Sequence, residues 1–300
     1  MILKIRNYAK QLGLKIPFLI HIFLRRRFNV ELKLIAGRHK NNNPHPSVIH
    51  FSLNKAATQY TKKILRGCVI GNGMVPVHIN EYAFYTKFPY LTGLKTDEMV
   101  NFSHIFKPNG YFYSAFGGFV PGISDLDKYK VILMVRDPRD ILVSWYYSIA
   151  FSHSIPPITS NRHEEYIRKR KNAQEITIDD HVISESDRVL NILNRYQNEL
   201  LVPYPHVHLT SYEKMTSNFE GWLKGLLDAS ELEISSQTFQ KLVEDNKQLQ
   251  PKEENKYKHI RKGKPGDYLD KLQPETIEYL NNKFSPILET YHDVLNTRDS

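Results

Sequence analysis

Short apolar runs that do not alternate in polarity govern what this chain can become. Val48–Leu53, Tyr111–Phe116, Val131–Val135 and Val207–Thr210 are rich in β-branched and aromatic residues. Continuous rather than alternating apolar strands belong to sheets covered on both faces. Helical spacing of apolar residues fills the gaps and continues beyond them: Thr58–Arg66, Ile141–Ser152, Ser186–Leu200, Phe219–Leu227 and Pro274–Tyr291. Strand–helix alternation of this kind predicts an α/β fold, a single domain with a central parallel sheet flanked by helices. "NNNPHP" at Asn41–Pro46 marks the expected boundary between an N-terminal helical appendage, 1–46, and the domain proper, 47–300.

Composition narrows the partners. The hydrophobic content of 41% supports a sizeable core, and a net charge of +9 favours an anionic partner: nucleotide, acidic glycan, nucleic acid or membrane surface. A merely soluble basic protein fits that charge as well. One cysteine, Cys68, excludes an internal disulfide and any cysteine-based metal cluster, in keeping with a reducing, cytoplasmic compartment. "LKIPFLIHIFLRRRF" near the N-terminus is too short to span a bilayer, and its arginines follow the apolar run rather than lead it, unlike a signal peptide. It reads as a helix lying against the domain, or as a weak contact with a membrane surface. Asn161–Glu175, containing "RHEEYIRKRK", reads as a surface insertion or lid, or as a solvated helix face.

Three segments carry chemistry. In "VIHFSLNKAATQYTKKIL", Val48–Leu65, a buried strand hands over at once to a helix, whose first N–H groups form a natural anion site. Lys55 supplies a charge there, Thr58 a hydroxyl and Gln59 an amide, and Ala56 and Ala57 let the backbone approach. G-x-x-x-x-G-K-[ST] is absent, so this is not a standard nucleoside-triphosphate loop. A lone lysine at such a turn is also compatible with a solvated loop. "VILMVRDPRDILVSWYYS", Val131–Ser148, ends a second buried strand at Arg136, at the sheet edge where open α/β folds bind ligands. Arg136 can grip a phosphate with paired donors, with Ser144 in the following helix donating alongside. Asp137 and Asp140 can equally pair with the arginines and cap the helix. "HIRKGKPGDY", His259–Tyr268, sets Arg261 and Lys262 beside Gly263, a basic turn able to close over an anion.

In this order the three segments resemble the sulfotransferases that use 3′-phosphoadenosine-5′-phosphosulfate (PAPS). The second and third resemble that family's R-[DN]-P-[RK]-D-x-x-x-S and R-K-G-x-x-G-D-[WY] patterns nearly letter for letter, and the resemblance runs from Val48 to the final helix. It implies a P-loop NTPase-like sulfotransferase fold, with PAPS as co-substrate leaving as adenosine 3′,5′-bisphosphate (PAP), and no metal. Lys55, Ala57, Thr58 and Gln59 would hold the 5′-phosphosulfate. Arg136, Ser144, Arg261, Lys262 and Gly263 would hold the 3′-phosphate. Tyr212 in "LTSYEKM" would lie near adenine, or else be a core tyrosine at a strand end. The first segment departs from the family's K-[SA]-G-T-T: Ala57 stands for a glycine and Gln59 for a threonine. A positive φ at Ala57 would cost about 1 kcal/mol or more.

Transfer to a hydroxyl benefits from a general base. The histidine that relatives acting on phenols and steroids place before the arginine strand is missing, Ser114 and Ala115 standing there. Carbohydrate-type relatives use a glutamate shortly after the lysine helix, and "HINEYAFY" offers Glu81 for that role. Glu81 is the expected base, a surface carboxylate paired with a nearby lysine being the structural alternative, and His104 and His78 are weaker candidates. The expected acceptor is a small molecule or glycan, a carbohydrate or glycolipid hydroxyl among them, with no nucleic acid. The competing reading is a non-catalytic basic module for polyanions, either nucleic acid or membrane surface. Non-catalytic nucleotide binding is a third.

Overall fold

The computed structural model describes residues 17–158, 160–248, 253–257 and 261–295. Five strands form one sheet: Val48–Ser52 (β1), Val75–Val77 (β2), Tyr111–Ser114 (β3), Lys130–Val135 (β4) and His208–Ser211 (β5). Their order is β2–β3–β1–β4–β5, and every pairing is parallel, with Ile49 beside Tyr113 on one side and Val131 on the other. All five residues of β1 are buried, which is why the run reads as continuously apolar.

Alternate residues of the strands feed two cores, one on each face. Ile49, Phe51, Tyr113, Leu133 and Val135 point to one face; Val48, Phe112, Ile132 and Met134 point to the other. The first is covered by the helices Pro138–Tyr147, Ile178–Arg195 and Pro274–Thr290, and the second by Thr58–Gly71 and Phe219–Ser230. Each fully buried Leu, Ile or Phe contributes about 1.5–3 kcal/mol of transfer free energy. The result is a three-layer α/β/α arrangement.

The principal helices, in chain order, are α1 (Pro17–Arg27), α2 (Asn29–Ile35), α3 (Thr58–Gly71), α4 (Ile79–Tyr85), α5 (Pro138–Tyr147), α6 (His163–Glu175), α7 (Ile178–Arg195), α8 (Tyr212–Ser217), α9 (Phe219–Ser230), α10 (Ser236–Gln248) and α11 (Pro274–Thr290). Several boundaries differ from the sequence reading, and caps explain them. Asp137 accepts from Arg139 N at 2.9 Å and Pro138 fills the first turn, so α5 starts before Ile141. Thr177 accepts from Asp180 N at 3.1 Å, so α7 starts well before Ser186. Both helices end in π-turns, Ser148–Ser152 and Tyr196–Leu201. The charged insertion contains a regular helix, α6. β2 was not expected at all.

The N-terminal helices reach the domain through buried groups. Phe28 and Leu34 are fully buried, and the enclosed Glu31 carboxylate accepts from His78 N at 2.6 Å. Arg27 pairs with Glu81 on α4 while its guanidinium lies over the rings of Phe23 and Phe28. Residues 1–16, which include the start of the apolar N-terminal stretch, lie outside the described residues. Among the described residues no helix is long and apolar enough to cross a membrane.

Candidate active site

β1 runs out at Ser52 into a turn where two L-residues take left-handed backbone, Lys55 at φ 78° and Ala57 at φ 54°. Each costs about 1–2 kcal/mol, and the positive φ considered for Ala57 is present. Such strain persists only where surrounding contacts over-determine it. Thr58 supplies some: its hydroxyl lies 2.6 Å from Ser52 Oγ and donates to Leu53 O at 2.8 Å, tying the helix start to the strand end. No side chain caps α3, and the first backbone N–H of the turn to reach Ala57 O is that of Tyr60. The amides of Thr58 and Gln59 have no intramolecular backbone acceptor among the described residues, the arrangement that receives anions.

β4 delivers Arg136 to the same place. Its guanidinium donates to Lys55 O at 3.1 Å and to Asp140 Oδ2 at 3.2 Å, and lies 4.2 Å from the centre of the Tyr212 ring. Its Nε is buried without a partner among the described residues, so one directed N–H is left for an incoming acceptor. The expected pairing of Asp137 and Asp140 is also present. Asp137 pairs with Arg139 at 2.5 Å, and the fully buried Asp140 accepts from Arg136 and from the amides of Gly266 and Tyr268 at 2.8 and 3.1 Å. Asp140 therefore fastens the late basic turn to the arginine segment.

In that turn Gly263 has φ 73°, which only glycine takes without strain. Arg261 pairs with Glu254 and Asp267 and stacks 4.2 Å over Tyr147; Lys262 pairs with Asp267 at 3.2 Å and with Asp270. His259, part of the same motif, lies outside the described residues. Lys55 forms no ion pair among the described residues. Burial, then the charges of Arg136 and Arg261, push its ammonium down to about 8. Cations crowded this closely gain most from an anion between them.

All of these residues line one cavity of about 1780 Å³: Lys55, Ala57, Thr58, Gln59, Arg136 and Ser144, together with Tyr212, Arg261, Lys262 and Gly263. Its other half is walled by α4, the "FGGF" turn and α6, with Phe84, Tyr85, Tyr90, Phe119 and Tyr166 as aromatic lining. Gly117 in that turn has φ 71°, and a Cβ there would come 2.6 Å from Asn54 Oδ1, so the turn is held close to the lysine loop. The whole cavity carries seven arginines and six lysines against two glutamates and one aspartate. Among the described residues no group of three or more His, Cys, Asp or Glu is placed to hold a metal ion.

Glu81 also lines the cavity, bridged between Arg27 and Lys62, the latter at 3.3 Å. Burial alone would raise its carboxyl; Lys62 and Arg27 overrule that and hold it below the ordinary range. The paired-carboxylate reading of Glu81 is thus what the side chain does in this state. His104 and His78 are not in the cavity lining. His104 lies 2.9 Å from Ile35 O, and burial pushes His78 down to about 4. Ser114 and Ala115 line the cavity wall. His153, which no motif pointed to, lines the cavity just after the π-turn that ends α5.

Known proteins resemble this chain. The family model of the sulfotransferase domain matches residues 124–294, more than half of the chain. Among solved structures, mouse sulfotransferase SULT7A1 complexed with PAP is similar at 12% identity and a TM-score of 0.48, over 88% of this chain and 90% of that one. Retinol dehydratase in complex with androsterone and inactive cofactor PAP matches at 14% identity and a TM-score of 0.45, over 81% and 80%. Retinol dehydratase in a complex with retinol and PAP matches at 13% and 0.45, over 86% and 84%. No curated protein matches this chain.

Proposed function

This chain belongs to the sulfotransferase family, enzymes that take a sulfuryl group from PAPS, and we propose that its acceptor is a hydroxyl of a carbohydrate or glycolipid. The observation that carries the assignment of roles is the convergence of three distant segments on one cavity, with Lys55 near enough to Arg136 and Arg261 to feel both charges. In this reading Arg136, Ser144, Arg261, Lys262 and the Gly263 amide hold the 3′-phosphate. The amides and side chains of Ala57, Thr58 and Gln59 hold the 5′-phosphosulfate, and Tyr212 borders the adenine. Arg261 and Lys262 exchange their carboxylate partners for the phosphate, which asks the turn to shift slightly.

The reaction is an in-line displacement at sulfur, the sulfuryl analogue of phosphoryl transfer. Charge grows on the oxygen that bridges sulfur and phosphorus as that bond breaks. Lys55, half-buried and near two guanidiniums, is placed to neutralise it where partial exclusion of water strengthens the interaction. The carbohydrate preference rests on the other half of the cavity. Aromatic faces of Phe84, Tyr90 and Tyr166 suit sugar rings, and Arg162, Arg168 and Arg188 suit acidic substituents.

Calorimetric titration with PAP tests the nucleotide half. Binding in the micromolar range, lost in Arg136→Ala and partly kept in Arg136→Lys with both variants folded by circular dichroism, is the expected result. No binding to the folded wild type would sink it. Transfer of label from ³⁵S-PAPS to uronic-acid oligosaccharides, against neutral sugars and phenols, tests the acceptor half.

The N-terminal helices belong to the working enzyme in this reading, since Arg27 reaches a residue of the cavity wall. We place the sulfotransferase domain at 47–300, with 1–46 as a helical extension against it.

A further inference from the structure

The structure points to His153 as the general base of the transfer, a proposal that rests on the sulfotransferase reading above: its Nε2 takes the proton of the acceptor hydroxyl. Four observations converge on this side chain. It lines the same cavity as Lys55. Its Nδ1 lies 2.7 Å from Ser154 O, and a carbonyl oxygen only accepts, so the proton sits on Nδ1 and Nε2 carries the lone pair. Nε2 makes no hydrogen bond among the described residues. The ring is held between Phe84 on α4 and Tyr166 on α6, at centroid distances of 6.4 and 5.2 Å.

The backbone makes the position firm. His153 N donates to Ser148 O at 2.7 Å across the π-turn, and Arg170 on α6 donates to His153 O and, at 3.1 Å, to Ile149 O. π-turns within or at the end of an α-helix are frequent at functional sites, where the extra residue re-aims the neighbouring side chains. Here the turn ends α5, the helix that Arg136 precedes, and brings the imidazole to the cavity wall beside Phe84 and Tyr166.

The charged groups around the ring keep it in the basic form. Burial lowers its proton affinity, the bond to Ser154 opposes this, and Lys55 from the β1–α3 turn and Arg170 from α6 lower it further. His153 is consequently neutral at physiological pH. Tyr166, the remaining titratable group in ring contact, stays protonated because burial raises its phenol. Glu81 on the same wall is the rival, but its carboxylate is engaged by Arg27 and Lys62, which oppose its protonation.

The step balances simply. The acceptor oxygen forms a bond to sulfur while its proton passes to Nε2. The bond from sulfur to the bridging oxygen breaks, and that electron pair leaves with the nucleotide phosphate, where Lys55 faces it. Release of the proton to solvent restores the imidazole.

The test needs no knowledge of the natural acceptor, because water serves as the probe: release of ³⁵S-sulfate from PAPS under single-turnover conditions with the full chain. His153→Ala and His153→Gln are expected to slow it about 10²- to 10⁴-fold while PAP binding by calorimetry is unchanged. Added imidazole is expected to restore part of the rate in His153→Ala, and the low-pH limb of the wild-type profile is expected to vanish. A variant as fast as wild type, or a loss confined to Glu81→Gln with His153→Ala unaffected, overturns the assignment and leaves the sulfotransferase reading standing. Failure of the wild type to bind PAP overturns both. Independently of turnover, the ring titration of His153 followed by NMR should move upward in Lys55→Met; an unmoved titration would mean the two groups are not neighbours.

Discussion

Arg136 reaches across from the end of β4 to donate to the main-chain carbonyl of Lys55 at 3.1 Å, so the site's two central cations are joined through backbone. Like charges are thereby held close without a shared carboxylate between them. Lys55 takes a left-handed φ of 78°, so the receiving turn is strained, and the Arg136 contact is among those that hold it. On the proposed roles, nucleotide binding and sulfuryl transfer draw on one preorganised cluster.

Lys55→Ala separates the two. Transfer is expected to fall about 10²-fold or more, because charge on the leaving oxygen loses its nearest cation. PAP binding should weaken only modestly, since the 3′-phosphate donors remain. Parallel rate and calorimetric measurements check it, and an unchanged rate would refute the role given to Lys55.

Asp140→Asn bears on how the cluster is held. The fully buried carboxylate serves Arg136, Gly266 N and Tyr268 N at once. Removing its charge leaves a buried guanidinium unmatched, and the expected loss is about 3 kcal/mol or more, read as a lower denaturation midpoint. PAP affinity should fall as well, because the Arg261 turn loses its anchor. A variant as stable as wild type would show that the pair contributes little, since the single amide oxygen cannot accept at both positions that the carboxylate serves.

Ala57→Gly should stabilise the protein. Relief of the left-handed strain gains about 1–2 kcal/mol, against about 0.4–1 kcal/mol of added unfolded-state entropy. The net is a small rise in Tm, measurable by calorimetry. A fall would mean that the methyl group packs favourably enough to offset its backbone cost.

PAP affinity should depend on pH through Lys55. In the free protein burial and the neighbouring cations push this lysine down to about 8, and a bound phosphate raises it again. Binding above pH 8 therefore takes up a proton. Affinity is expected to be flat below that pH and to fall above it, by at most about tenfold per unit. Titrations at several pH values check the slope, which Lys55→Met should abolish.

What the sequence disclosed and what it hid divide along a physical line. Arg136, Ser144 and Lys55 were legible because each sits at a fixed offset from the end of a buried strand, and strand ends are written locally in apolar runs. β2 escaped notice because Val75–Val77 is three residues long with a proline in the middle, and its strand character comes from pairing with β3. The ion pair on Glu81 was half visible: a lysine partner was foreseen, but Arg27, on another helix 54 residues earlier in the chain, was not. His153 was invisible, since neither a π-turn nor the aromatic walls of Phe84 and Tyr166 leave a spacing to read.

Asp140 also ties the end of the chain to its middle. The strand carrying the lysine turn lies at the centre of the sheet and comes first of the site's segments in the chain, while the turn at Arg261 comes last. Without the amides of Gly266 and Tyr268, the Asp140 carboxylate would sit against Arg136 alone. The two amides from the end of the chain thus complete the buried Arg136–Asp140 pair and hold the Arg261 turn against the middle of the sequence.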